Sequence, residues 1–376
     1  MSGSLLSAKE TAERLFAGMT QHGASDLHIK VGYPPYYRIA GQLRKLDMPP
    51  FPNSAFIEEM LSDMIPEGRL AEFERDGALD FSTRGSTGDR YRINVYRSTG
   101  ETHASIRHVR SEIPDFEELH LPKVYSDTIA NSSDGLILIS GVTGSGKSST
   151  LAAMIEYINT VHSMHILTIE DPVEFVFRPK KSIISQREIG VDVANYHDAL
   201  RSMVRQDPDC LMIGELRDRE TMVAALQAAE TGHLVLGSIH GADAQQTFTR
   251  ILEFFPREEH PFVRSSLASS LRAILCQRLI PGIEEDSQYP ATEVLLRNSV
   301  VRDKILHEED EDIPAIIAQS ENEGMRSFAT SLVELIETEK IHYDTAMEYA
   351  PSREALGSAI KGIKTSGQSL VGRGRR

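Results

Sequence analysis

Residues 141–148 read Gly-Val-Thr-Gly-Ser-Gly-Lys-Ser, and this run narrows the fold more than any other stretch of the chain. The apolar residues Leu136 to Ile139 before it have the character of a buried strand, and Leu151 to Tyr157 after it are spaced as a helix. A strand, a glycine turn and a helix start aim backbone N–H groups and the positive end of a helix at one spot. Gly141, Gly144 and Gly146 let that backbone close around phosphate oxygens, and Thr143, Ser145 and Ser149 complete the expected binding set. Lys147 is the cation for the β- and γ-phosphates, and Ser148 is the hydroxyl for Mg²⁺. An ordinary Gly/Ser turn would match this pattern by chance in a chain of this length on the order of once in a hundred. The expected ligands are therefore ATP and Mg²⁺.

A chain of 376 residues exceeds what one compact core needs, so two domains are expected. The net charge of −15 argues against direct nucleic-acid binding, which needs a basic face. Cys210 and Cys276 sit in apolar contexts and read as buried reduced thiols, which suits the cytosol. No paired CxxC spacing offers a structural zinc site. The first residues lack the apolar run of a signal peptide, and no stretch of 18 apolar residues predicts a membrane span.

Residues 1–110 predict a small α+β domain. An amphipathic helix covers 5–22, strands follow at 25–31 and 36–46, helices at 54–62 and 67–75, and strands near 78–82, 90–96 and 102–109. Residues 111–122, with prolines at Pro114 and Pro122, predict an extended linker. Residues 123–282 change style. Apolar strands at 136–140, 165–169, 210–213 and 233–237 alternate with helices at 147–159, 196–206, 219–230 and 243–254, the pattern of a parallel sheet wound with helices. Beyond 260 the periodicity predicts helices at 262–280, 299–307, 326–337, 343–349 and 352–362, so residues 283–352 read as a helical C-terminal subdomain. The acidic run Glu308 to Asp312 reads as a solvated loop, and residues 353–376 as a flexible basic tail.

Hydrolysis of a β–γ phosphate bond requires an oriented water, a metal and compensation for charge on the γ-phosphate. Glu170 and Asp171 follow one predicted strand and Glu215 follows another. Wound α/β sheets bind ligands outside the carboxyl ends of their strands, so these acids should face the crevice that holds Lys147. Gly214 stands where many nucleotide hydrolases carry an aspartate, so the metal would rely on Ser148, the phosphates, waters and, from further out, Glu170. His233 and His240 bracket the strand Leu234 to Gly237 and read as γ-phosphate sensors or water-orienting groups.

The motifs together carry a resemblance. Residues 141–150, the run Thr168 to Phe175, Gly214 to Asp218 and Glu230 to His233 resemble the Walker A, Asp-box, Walker B and His-box motifs of secretion-superfamily ATPases. Gln277-Arg278-Leu279 and Ser25-Asp26-Leu27-His28 extend the match over roughly residues 20–340. The chain is most similar to the PilT/PilU-type retraction ATPases of type IV pili. It lacks the longer N-terminal region and tetracysteine module usual in extension and general-secretion members. The resemblance implies a PAS-like N-terminal domain, a RecA-like ATPase domain and a homohexameric ring at the inner-membrane pilus platform. It also implies Glu215 as the catalytic glutamate, Glu170 beside Mg²⁺ and water, and His233 and His240 as couplers to motion. Arginine fingers are carried over to Arg92 and Arg107, with Arg97 a further candidate, because a guanidinium near the γ-phosphate stabilises transition-state charge.

Two departures bear on function. The retraction motif usually reads close to Ala-Ile-Arg-Asn-Leu-Ile-Arg-Glu, whereas residues 300–307 here keep only Arg302 and Ile305, and Gly241 stands where a threonine is common. These point to an accessory motor working beside a PilT-like paralogue. Extension, DNA-uptake or type II secretion ATPases of the same superfamily, and a ring component with little turnover, stay open as alternatives.

Overall fold

Both halves of the chain are built on sheets, the first with strands such as β1 and β5 whose burial alternates along the chain, the second with a centre buried on both faces. The computed structural model describes residues 7–39, 41–66, 68–85, 89–109, 112–203, 205–284 and 287–362. They fall into two units, one running to residue 112 with 172–176 added, the other holding 113–171 and the chain from 177 onward.

The first unit comprises α1 (Ala8–Gln21), β1 (Asp26–Ile29), β2 (Tyr36–Ile39), β3 (Gln42–Lys45), α2 (Ser54–Ser62), α3 (Leu70–Asp76), β4 (Ala78–Arg84), β5 (Arg90–Ser98) and β6 (Glu101–Val109). The strands form one antiparallel sheet in the order β3-β2-β1-β6-β5-β4. Ser7 starts α1 with a capping box to Glu10, and the helix buries Ala12, Leu15, Phe16 and Met19. These join Leu27, Ile29, Ile93, Val95, Ala104 and Ile106 in one apolar core. The single strand expected over 36–46 is two strands, because Ile39 pairs with Gln42 across a tight turn in which Gly41 has φ 79°.

The second unit comprises α4 (Val124–Ala130), β7 (Gly135–Ser140), α5 (Lys147–Val161), β8 (His165–Glu170), β9 (Ile183–Glu188), α6 (Tyr196–Met203), β10 (Cys210–Ile213), α7 (Arg219–Glu230), β11 (Leu234–Ile239), α8 (Ala244–Glu253), α9 (His260–Ser270), β12 (Leu271–Pro281), β13 (Gln288–Leu296), α10 (Ser299–Leu306), α11 (Ile313–Gln319), α12 (Phe328–Glu337), α13 (Tyr343–Tyr349) and α14 (Arg353–Ile360). The sheet order is β13-β12-β7-β11-β10-β8-β9, parallel throughout except for β13. Every residue of β7, β10 and β11 is buried, so both faces of the sheet centre are covered.

Several expectations are corrected. The helix expected over 262–280 ends at Ser270, and β12 continues into the sheet beside β7, followed by β13 inside the region expected to be helical. An apolar run buried on both sides has the same composition in either state, and pairing with two strands decided it. The 111–122 stretch is not extended throughout. Asp115 and Glu118 cap each other's backbone N–H, and Leu121 N–H returns to Phe116 O at 2.8 Å. The helix expected at 352–362 is α14, so the flexible tail does not begin at 353, and residues 363–376 lie outside the described residues.

The acidic run is only in part the solvated loop expected, since Glu308, Glu309 and Glu311 are exposed while Asp310 and Asp312 turn inward to ion pairs. Asp310 clamps Arg264 with two bonds of 2.6 and 2.8 Å, and Asp312 pairs with Lys304 at 2.7 Å. Arg264 is buried, and a buried guanidinium requires a carboxylate.

Candidate active site

The phosphate loop leaves the carboxyl end of β7, and α5 begins at Lys147 directly after Gly146, whose φ of 90° suits glycine. Lys147 Nζ donates to the carbonyls of Gly141 at 2.8 Å and Val142 at 3.0 Å, which keeps its ammonium at the mouth of the loop. Parallel register aligns the neighbouring strand ends. Ile239 of β11 sits opposite Ser140, and Ile213 of β10 sits opposite Ile169 of β8. The residues that follow these ends, His240, Glu215 and Glu170, therefore gather along the crevice with the loop.

Glu215 Oε1 lies 3.1 Å from His240 Nε2, and each side chain keeps a third or more of its surface exposed. Glu170 is buried, its Oε1 accepting from Thr168 Oγ1 at 2.7 Å and from Gln186 Nε2 at 3.0 Å. Arg217 reaches Asp171 at 3.3 Å and stacks over the Tyr196 ring. Burial and the nearby charge of Asp171 push the Tyr196 phenol far above its usual range, so it stays neutral. Burial likewise pushes the Cys210 thiol up to about 12 and the Cys276 thiol well above its ordinary value, which leaves both inert.

The two glycine departures have packing reasons. A Cβ on Gly214 would stand 3.2 Å from the Ile169 carbonyl and 3.4 Å from the Tyr196 hydroxyl, so any larger residue there needs its neighbours to give by a few tenths of an ångström. A Cβ on Gly241 would meet Ser140 Oγ and Thr247 Oγ1, both at 2.6 Å. Those hydroxyls bond each other at 2.7 Å and occupy the space a threonine would need.

His233 and His240 lie at opposite ends of β11, not at one end. Six strand residues separate them, about 20 Å along the sheet. His233 Nδ1 is 3.0 Å from Ala228 O and 3.1 Å from Thr231 Oγ1, so within this unit only His240 joins the phosphate loop and the acids. Arg92 and Arg107 are register partners on β5 and β6, and Arg107 also faces Asp26, which in turn faces Arg38. Arg107 Nε donates to Asp26 Oδ1 at 2.8 Å, and Arg92 lies 3.9 Å from Asp80.

Four further residues shape the site. Gln277 bonds the phosphate loop at Ser145 O and α5 at Thr150 Oγ1. Gln186 and Thr168 hold Glu170, and Tyr196 packs beneath Gly214. Gln277 and Thr168 lie in recognised motifs. Gln186 and Tyr196 carry no pattern of their own.

A glycine-rich cradle at a helix start, facing an exposed glutamate–histidine pair on a wound parallel sheet, defines a P-loop ATPase. The chain belongs to the Type II/IV secretion system protein family, whose model matches residues 7–370. It is 36% identical to the type IV pilus retraction ATPase PilT of Pseudomonas aeruginosa, over 89% of this chain and 97% of the relative. It is 34% identical to the type IV pilus ATPase PilU of the same organism, over 93% and 91%. The fold matches a crystal structure of the pilus retraction motor PilT with bound ADP at a TM-score of 0.85 and 37% identity, covering 92% of this chain and 98% of that one.

Proposed function

We propose that this chain is the protomer of a hexameric motor that hydrolyses ATP to power type IV pilus retraction from the cytoplasmic side of the inner membrane. The observation that carries the reading is the Glu215–His240 pair beside an intact phosphate loop, in a chain similar to two pilus ATPases along nearly their whole length. Lys147 neutralises the β- and γ-phosphates, Glu215 orients the attacking water, and His240 fixes that carboxylate. Ser148 and the buried Glu170 offer oxygen donors suited to Mg²⁺, Glu170 acting through water, and the ion would neutralise charge on the phosphates. The family resemblance assigns Arg92 and Arg107 to the nucleotide of a neighbouring subunit, and His233 to coupling the site to motion. The partners are five further copies and an inner-membrane platform protein. Among the described residues no helix is long and apolar enough to cross a membrane.

ATP turnover measured against protein concentration tests the reading. Turnover should rise with assembly, and Glu215→Gln should keep ATP binding while turning over at least about a hundredfold more slowly. Normal turnover by Glu215→Gln would remove the glutamate from its role, and concentration-independent turnover by a proven monomer would remove the ring.

A further inference from the structure

Glu293 lies on β13 opposite Cys276 of β12, largely buried at the wall of a cavity of about 580 Å³. Its Oε1 accepts the backbone N–H of Ala244 at 2.8 Å, and the backbone N–H of Phe328 weakly favours the same carboxylate. Ala244 and Phe328 are the first residues of α8 and α12. One carboxylate thus joins the amino ends of two helices, where N–H donors lack helical partners and the dipoles favour an anion. Helix α8 begins four residues after His240. Arg278 fixes the intervening loop, donating to Ala242 O at 3.0 Å and to Tyr349 O at 3.2 Å, with its guanidinium over the Phe328 ring.

We propose that Glu293 is a positioning residue for ATP hydrolysis, whose anionic carboxylate holds the loop carrying His240 so that His240 stays against Glu215. This rests on the reading of Glu215 and His240 as hydrolytic groups, and it adds a residue outside the recognised motifs. The loop is tethered from both sides, by Glu293 at Ala244 and by Arg278 at Ala242, and the same two residues touch the first turn of α12. The hydrolytic pair is therefore tied to the C-terminal helices through two side chains.

The charge of this tether changes near neutrality. Burial, joined by the Asp243 carboxylate, raises the Glu293 carboxyl to about 7, against the opposing pull of the Ala244 and Phe328 N–H groups and Arg278. The titratable or charged groups facing it are Asp243 at the start of α8, Cys276 and Arg278 on β12, and Glu321 across the cavity. Helices α11 and α14 bring only uncharged residues such as Pro314, Ala315 and Ala355. Above about pH 7 the group is the carboxylate that both donors favour, and below it a neutral acid that holds them less tightly. Glutamine copies that neutral acid in shape and charge, so the Glu293→Gln variant keeps a state the fold already carries.

The experiment is steady-state ATP turnover by the full chain and by Glu293→Gln from about pH 6 to pH 8.5. The two kcat values should agree within about twofold at the acid end, and the variant should be about tenfold slower at the alkaline end. KM for ATP should stay within about threefold throughout, because Glu293 bonds no residue of the phosphate loop. Taking the ratio cancels every titration the two proteins share. In a His240→Ala background the same Glu293→Gln change should have no further effect on kcat. A ratio that does not vary with pH, or one that persists without His240, overturns the proposal. Glu215→Gln separates the two failures. Normal turnover there would sink the assignment beneath this inference, whereas an inactive Glu215→Gln beside a flat ratio would sink only the role of Glu293.

Discussion

The side-chain amide of Gln277 donates to the Ser145 carbonyl at 2.7 Å, so β12 grips the phosphate loop from outside the motif that defines it. The same amide accepts from Thr150 Oγ1 at 3.0 Å, one turn into α5. Gln277 is buried, and replacing it with leucine would strand two polar groups away from water. We expect Gln277→Leu to lose about 1–3 kcal/mol of stability. It should also weaken ATP binding at least about fivefold, because the loop's shape is then no longer held in advance. Thermal unfolding and a nucleotide titration check both, and wild-type affinity would show that the loop keeps its shape without β12.

The Arg264–Asp310 clamp should be one of the more expensive polar contacts to break. Both side chains are mostly buried, and Arg264 also donates to Ile305 O at 3.1 Å. Asp310→Ala leaves a guanidinium in the interior without its carboxylate and should cost about 3–5 kcal/mol. Pairing it with Arg264→Met should recover a good part of that loss, since the uncompensated charge goes too. A double variant as unstable as Asp310→Ala alone, measured by thermal unfolding, would count against the clamp as the cause.

How much of this was legible depended on whether the information was local. The phosphate loop, Glu170 and Glu215 stand at strand ends, and a short apolar run followed by a glycine or an acid encodes that position within ten residues. The register that brings His240 to the same edge and leaves His233 at the other follows once β11 is counted as six residues. Strands β12 and β13 are harder, because Ala273 to Cys276 is apolar on both faces and so short a run cannot separate helix from strand by periodicity. The edge strand β9 carries no strand signal, since Ser185, Gln186 and Arg187 give it no apolar face. Pairings such as Gln277 with Ser145 or Asp310 with Arg264 join residues 46 or more positions apart. No pattern in one sequence encodes them.

The raised Glu293 carboxyl has a consequence for stability. Between the ordinary carboxylate range and about pH 7, the folded protein keeps a proton that the unfolded chain has released. Stability from this group is therefore full at acid pH, falls by up to about 1.4 kcal/mol per pH unit through that window, and levels off above it. Glu293→Gln has no such term. Its melting temperature should gain on the wild type as pH rises from about 5 to 8, although its turnover falls behind over the upper part of that range. Parallel melting curves for the two proteins across this range would contradict the buried, proton-holding state of Glu293.

The accessory reading rests on the surface of α10, where residues 300–307 depart from the family's retraction motif. Lys304, which replaces an apolar residue of the family's retraction motif, is not offered to a partner. It is paired with Glu309 and with Asp312, and its side chain is 23% exposed. The outward residues are Val300, Arg302, Asp303, Leu306 and His307, with Val300 and Leu306 exposed by 48% and 42%. Leu306 stands where the motif carries its second arginine, so a charged contact has become an apolar one at an exposed point. Such an exchange alters complementarity to a partner and leaves the core of the domain untouched. On the accessory reading, the wild-type chain as sole retraction ATPase in a cell lacking all others should support little twitching. Leu306→Arg should then restore part of it, with ATP turnover in vitro unchanged within about twofold because the residue is far in sequence and contact from the phosphate loop. Twitching-zone diameter and turnover of the purified proteins are the two measurements. Full twitching with the wild-type chain alone would make it an autonomous motor, and a change in turnover by Leu306→Arg would move α10 from the partner surface into the hydrolytic cycle.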